Sequence, residues 1–321
     1  MSELQDRAAQ ATRELIALIS ATPGGRCLLV IDPILRPIET EQDGEQGEAD
    51  PWQHYARLPH TPVPIAHSGV DPLHCPQLTP LRLDRDTDRA LLVHSVQEAC
   101  AELAPEQLHG GQGRRIGGWI VTDAPVDDVA AHLGQIMLQR QPSGRTVWLR
   151  LQDPAVLWVL SGWLQPPQLA ALLGPVGVGG SFNLLTPAGQ LLSLRAEGAA
   201  GANGMDLSAA QWAAIDCIEP LNAALRDWPG GSPEQLRTAR SNAFAAIRRA
   251  KAMGFDDPID LALYGRYALG VHARFDFHAL VSSRLRGRVP GDRFGALVAD
   301  LGLQDWGRIA REGPPPEAQA S

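Results

Sequence analysis

The stretch VWLRLQDPAVLWVLSGWLQPPQLAALLGPV, residues 147–176, decides how this chain is read. Its first residues alternate as a strand does. Asp153-Pro154 then supplies a helix N-cap followed by a proline at the first helical position, where its missing N–H is no loss. Residues 155–164 are apolar on nearly every side, so this helix is expected to be covered. A short helix follows over 166–174, and Gly174-Pro175 stops it. One charged pair, Arg150 and Asp153, stands among Leu, Val and Trp, with no visible catalytic group beside it.

Outward from this segment the same alternation repeats. GGWIVTD (117–123) reads as a strand, with Asp123 as the cap of a helix over 124–140. RTVWLRLQ (145–152) reads as the next strand, and SFNLLTPAGQLLSLRAE (181–197) as a hairpin around Pro-Ala-Gly. Upstream, residues 2–21 predict a first helix ended by TPGG, CLLVIDPIL (27–35) a buried strand, and TDRALLVHSVQEACAELA (87–104) a helix. Strands alternating with helices predict an α/β (α+β) first domain, a mixed sheet flanked by helices, over residues 1–197. GAAGANGM marks a linker at 198–205. Residues 206–312 read as a smaller all-α domain. Ser208 and Gln211 form a capping box before a helix to about Trp228, Ser232-Pro233 opens another to Gly254, and Asp257-Pro258 opens a third. Residues 313–321 are expected to be a disordered tail.

Composition narrows the function. The 321 residues are 44% hydrophobic and 20% charged, enough apolar content for a sizeable core. The net charge of -8 argues against general nucleic-acid binding. It is unevenly spread: residues 1–229 hold 15 basic and 26 acidic residues, residues 230–321 hold 13 and 10. Lys251 is the only lysine. Cys27, Cys75, Cys100 and Cys217 have no C-x-x-C spacing, which fits a reducing, cytoplasmic compartment. The start of the chain is polar, unlike a signal peptide, and the apolar run 155–164 is about half a bilayer span.

Chemistry-bearing residues are scattered. The acidic run 39–50 fits no EF-hand pattern. His54, His60, His67, His74 and Cys75 lie in a Pro-rich stretch without the tight pairs zinc needs, so no metal and no cofactor is expected. LHGGQGRR (108–115) and GVGGS (177–181) are poorly placed to cradle phosphate. Ser143, Ser161 and Ser181 have no visible base. His132 reads as a packed histidine that bonds a neighbour. Asp127-Asp128 and Asp256-Asp257 sit at helix starts, where they complement the dipole.

Three segments taken together resemble a known family: GGWIVTDAPVDDVAAHL, GRTVWLRLQDPAVLWVL and LQPPQLAALLGPV. Their order is a strand, a helix with His132-Leu133, a strand ending Arg150-x-x-Asp153-Pro154, an apolar helix, a helix with Gln168, and Gly174-Pro175. It is similar to the domain of unknown function found in type VI secretion effector chaperones, or adaptors. The resemblance spans about residues 25–195, and AKAMGFDDPIDLALYGRYAL extends it loosely over 205–311. Two departures stand out: Leu151-Gln152 replaces an aromatic, and the insert at 39–76 is long. The resemblance implies a non-catalytic cytoplasmic helper of Gram-negative bacteria that holds the N-terminal region of a toxic effector and loads it onto the VgrG spike or its PAAR cap. Binding to membrane or nucleic acid is not expected, and a monomer is the default.

A groove with a few polar anchors would serve such a role. The candidate partner-binding residues are Arg150, Asp153, Trp158, Trp163 and Gln168. Each has a plainer reading: Arg150 clamps Asp153 to fix the turn, and the tryptophans fill the core. Two rivals remain. One is a nucleic-acid-binding or regulatory module using the basic helical half, Arg237 to Arg311. The other is an unrecognised hydrolase.

Overall fold

Ile116–Thr122 is wholly buried, which fits a strand covered on both faces. A computed structural model describes residues 3–22, 24–34, 51–109, 113–176, 179–196, 204–228 and 231–313. The acidic run at 39–50, most of the 198–205 linker and the tail from 314 lie outside the described residues. The chain divides into two compact units, Met1–Trp212 and Ala213–Ser321.

In the first unit the order is α1 (Glu3–Ala21), β1 (Arg26–Ile31), α2 (Pro51–Tyr55), β2 (Thr61–Pro62), β3 (Gln77–Leu81), α3 (Asp86–Ala101), α4 (Pro105–His109) and β4 (Ile116–Thr122). Then come α5 (Val126–Ile136), β5 (Leu138–Arg140), β6 (Thr146–Trp148), α6 (Pro154–Ser161), α7 (Pro166–Leu173), β7 (Ser181–Leu185) and β8 (Leu191–Leu194). Six strands form one sheet in the order β2-β3-β1-β4-β7-β8. The expected sheet flanked by helices is therefore present, and every pairing in it is antiparallel. The alternation of strand and helix along the chain had suggested mixed directions. β3 and β4 do run parallel, but β1 lies between them and bonds to both.

The core follows from side-chain alternation. Cys27, Leu29 and Ile31 of β1, with Trp119 and Val121 of β4, face Ala8, Ala11 and Leu15 of α1 and Leu91, Leu92 and Val96 of α3. Trp119 Nε1 donates to Ser95 Oγ at 3.0 Å, so the buried indole keeps its hydrogen bond. α5 and α6 add the buried Val129, Leu133, Leu157 and Trp158. Between Val30 and Ile31 the register with β4 shifts, leaving Gly117 as the extra residue of a bulge. Gly118 there has φ 135°, and a Cβ on it would stand 2.3 Å from the Asn183 carbonyl oxygen.

Two local readings are corrected. Asp123 does not cap α5, whose N-cap is Pro125 without a side-chain bond; Thr122 Oγ1 accepts from Ala124 N instead. The helix expected to 140 ends at Ile136. Residues 138–140 are recruited as β5 by β6, the only strand in RTVWLRLQ. This separate hairpin is continued by Leu149 N donating to Met137 O at 2.7 Å.

α8 (Ala209–Ile215) spans the division between the units. The second unit continues with α9 (Ile218–Leu225), α10 (Pro233–Ala252), α11 (Pro258–Gly270), α12 (Ala279–Arg286), α13 (Phe294–Leu297) and α14 (Leu303–Glu312). The single helix expected from Ser208 to Trp228 is two, separated at Asp216-Cys217. Ser232 and Gln235 form a capping box on α10, and Asp257 caps α11. Tyr264, Phe275 and Phe294 pack at ring distances of 4.7 to 6.1 Å, and Trp306 stacks on Tyr267 at 4.1 Å. Among the described residues no helix is long and apolar enough to cross a membrane.

Candidate functional site

Arg150 does not clamp Asp153. Its Nη2 donates to Asp32 Oδ2 at 2.8 Å, across to the end of β1. Asp32 is fully buried and gathers two more donors: Gln152 Nε2 at 3.0 Å on the same oxygen, and Ile34 N at 3.1 Å on the other. Asp153 is committed to its helix, its Oδ1 accepting from Ala155 N at 2.9 Å, with an Arg114 nitrogen 3.9 Å away. The physical reason for the exchange is that a carboxylate capping a helix start already satisfies orphan N–H groups. The Arg150 side chain is 37% exposed, so its charge is held in place from inside and still meets solvent. Two buried atoms of this cluster, Arg150 Nε and Gln152 Oε1, have no hydrogen-bond partner among the described residues.

The remaining candidates disperse. Trp158 is 5% exposed and belongs to the core, whereas Trp163 is half-buried. Gln168 is tied inside the unit: its Nε2 donates to Gln211 Oε1 at 3.0 Å, and Gln211 Nε2 donates back to Gln168 Oε1 at 2.7 Å and to Trp163 O at 2.9 Å. This amide pair lashes the first turn of α8 onto the first turn of α7, and Gln211 also reaches the α6–α7 turn at Trp163 O. Sequence reading gave Gln211 a capping role, which it has through Ser208, and missed this second one. It also missed Asp32 and Gln152, since nothing local links them to Arg150.

A cleft of about 840 Å³ opens beside the end of α5, β5 and α7. His132, Gln135, Gln139, Arg140, Ala171 and Trp212 are among its lining residues. His132 Nε2 lies 3.0 Å from Leu172 O, the packed role expected for it. Its ring sits against Gly174, where φ is 48° and a Cβ would come within 2.3 Å of the imidazole. The His-Leu and Gly-Pro segments therefore meet at the cleft. Carboxamides and one guanidinium can hydrogen-bond to a polypeptide, with Trp212 buried behind them. They do not form a nucleophile–base pair.

The other reactive groups are satisfied elsewhere. Ser161 Oγ donates to Trp158 O at 3.0 Å, and Ser181 Oγ accepts from Asn183 Nδ2 at 2.9 Å. Ser143 Oγ reaches Gln141 Oε1 at 3.5 Å. His54 Nε2 meets the buried Asp88 at 2.5 Å, and His60 Nδ1 meets Thr79 Oγ1 at 2.8 Å. All four cysteines are buried. Burial pushes the Cys27 thiol far up and Cys100 up to about 11, so neither thiol is a ready nucleophile. Among the described residues no group of three His, Cys, Asp or Glu is placed to hold a metal ion.

A family model described as "Domain of unknown function (DUF4123)", a family associated with type VI secretion effector adaptors, matches residues 70–171. The match runs from before β3 into α7, and takes in Arg150, Gln152, His132 and most of the cleft wall. No curated protein and no solved structure matches the chain.

Proposed function

We propose that this protein is a non-catalytic cytoplasmic adaptor that binds a type VI secretion effector, through its N-terminal region, and loads it onto the VgrG spike or its PAAR cap. The observation that carries the reading is the family match over residues 70–171, the stretch that builds most of the cleft wall and holds Arg150. The chemistry supports it. The cleft offers the hydrogen-bonding side chains of Gln135, Gln139 and Arg140, and an adaptor needs a surface that grips a polypeptide without altering it. Arg150, fixed by Asp32 and still 37% exposed, is a preorganised guanidinium for a carboxylate or carbonyl of the cargo. Trp163 at the α6–α7 turn extends the contact area.

The test is affinity capture of the tagged protein from its native host, at low and high salt, with identification of what co-purifies. The proposal expects a large toxin or a spike- or PAAR-bearing protein, retained at high salt and lost when Arg140→Glu and Gln135→Ala, both at exposed cleft residues, are combined. Recovery of neither from a host that is firing the system would refute it.

A further inference from the structure

The hairpin of β5 and β6 stands apart from the six-stranded sheet and has two strands only. Its register sets Leu138 against Trp148, Gln139 against Val147 and Arg140 against Thr146. The ladder runs on at both ends: Leu149 N donates to Met137 O at 2.7 Å, and Gln141 N donates to Arg145 O at 2.8 Å. In an antiparallel pair, residues alternate between those that turn their N–H and C=O to the neighbouring strand and those that turn them away. Met137 and Gln141 turn theirs to β6, and so does Gln139 midway between them. Leu138 and Arg140 therefore turn theirs outward, on the side of β5 away from β6. Among the described residues no hydrogen bond takes up these two N–H and two C=O groups.

The cleft lies along this edge. The consecutive residues from Leu138 to Pro142 line it, and no residue of β6 does. Successive side chains of a strand point to opposite faces. A cavity over one face of the hairpin would be lined by alternate residues of β5 and by their neighbours on β6. An unbroken run from one strand instead places the cavity beside that strand, where the outward N–H and C=O groups point. Ala171, Gly174 and Leu207 close the rest of it. A two-stranded ribbon is marginally stable in water by itself, and a third strand completes it. The main sheet guards one of its own edges: β2 is two residues long and ends in Pro62, which has no N–H to offer. β5 has no proline before Pro142, one residue beyond the ladder.

We propose that an extended segment of the cargo adds to β5 as a third, antiparallel strand, its main chain bonding to Leu138 and Arg140. The proposal deepens the adaptor reading and rests on it for the identity of the cargo. Side chains set the register. Leu138 and Arg140 share one face of β5, and Gln139 lies on the other. The added strand sets an acidic residue against the exposed Arg140 and, two positions on, an apolar residue against the half-buried Leu138. Asp206, the one acid among the lining residues, lies on the segment before α8. A second copy of this chain fits less well. Two β5 edges paired about a twofold axis at Gln139 set each Leu138 against an Arg140, and each copy would have to force its own cleft wall into the other's cleft.

The experiment uses the full chain and a fluorescent peptide of about seven residues, β-branched except for one glutamate, with a valine two positions after it. Binding is read by fluorescence anisotropy up to millimolar protein, and is expected to saturate. Methylating the peptide's backbone nitrogen at the glutamate or at the valine removes a hydrogen bond to β5 and weakens binding about tenfold or more. Methylating the residue between them, whose N–H points away, changes it less than about twofold. Arg140→Pro removes an outward N–H and leaves the β5–β6 ladder its bonds, so it weakens binding about tenfold, whereas Arg140→Ala keeps that N–H and weakens it about threefold. Near-ultraviolet circular dichroism checks the fold of the proline variant, and the methylated peptides need no variant. Absence of saturable binding, or equal effects of methylation at all three positions, overturns the proposal. So does a dimer of the free chain that Arg140→Pro dissociates, which would assign the edge to self-association. Effector capture without the alternating methylation pattern leaves the adaptor reading and removes this one. The alternating pattern with no toxin or spike protein captured keeps β5 as a strand-addition site and refutes the adaptor reading alone.

Discussion

Gly174 and His132 make one contact from two distant segments, and it sets a strict demand on a single atom. A side chain at Gly174 meets the imidazole at 2.3 Å and also requires a residue at φ 48°. Gly174→Ala is expected to cost about 2 to 4 kcal/mol in urea unfolding. Combining it with His132→Ala recovers part of that loss, because the ring is the obstacle. Asp32 makes a second demand. Asp32→Ala strips a fully buried acceptor from Gln152 and Ile34 and is expected to cost about 3 kcal/mol. Arg150→Ala costs distinctly less, since its head is partly solvated and Asp32 keeps two donors. The reverse order in denaturation would contradict this account of the cluster. His60 adds a pH dependence. Burial lowers its pKa, so protonation favours the unfolded chain. Its contribution is complete above the unfolded value of about 6.5 and is lost as pH falls below it. In His60→Gln the fall in stability below that pH is expected to be shallower. From sequence His132 could be read only as a packed histidine and Gly174 only as a helix stop, and Asp32 had no assigned role, because their partners lie far away in the chain.

Elements were more legible where a boundary has its own chemistry. The Asp153-Pro154, Ser232-Pro233 and Asp257-Pro258 starts each produced the expected helix, because an acceptor side chain followed by proline satisfies the first turn locally. Asp153→Ala is expected to lower stability by about 1 kcal/mol, and Asp153→Asn by much less, in the same denaturation assay. If Asp153 were instead the partner of Arg150, both changes would be costly. Boundaries set by tertiary pairing were not legible. Residues 138–140 continue a good helical pattern, yet β6 claims them as a strand. The 208–228 helix breaks at Asp216-Cys217 with no glycine or proline to mark it. RTVWLRLQ alternates throughout, but only Thr146–Trp148 pairs, since the chain turns away to bring Arg150 to Asp32.

At the scale of the molecule, the sheet with helices on its faces and the helical region after it followed from the alternation of patterns. Strand directions did not, because β1 enters between β3 and β4 from the far end of the sequence. The candidate site was not legible as residues: none of Arg150, Asp153, Trp158, Trp163 and Gln168 is among the residues lining the cleft, Arg150 holds a surface-reaching position bound to Asp32, and Trp158 and Gln168 are used internally. The ordered motif series resembles this family over about residues 25–195, and the family match covers residues 70–171 of it, ending before Gly174-Pro175. The central claim is that the cleft by α5, β5 and α7 grips the cargo. Hydrogen–deuterium exchange on the complex with the captured effector tests it most directly. The account predicts slowed exchange at residues 132–142, 171–174 and 206–212 relative to the free protein. A stable complex with exchange unchanged across all three segments would contradict it.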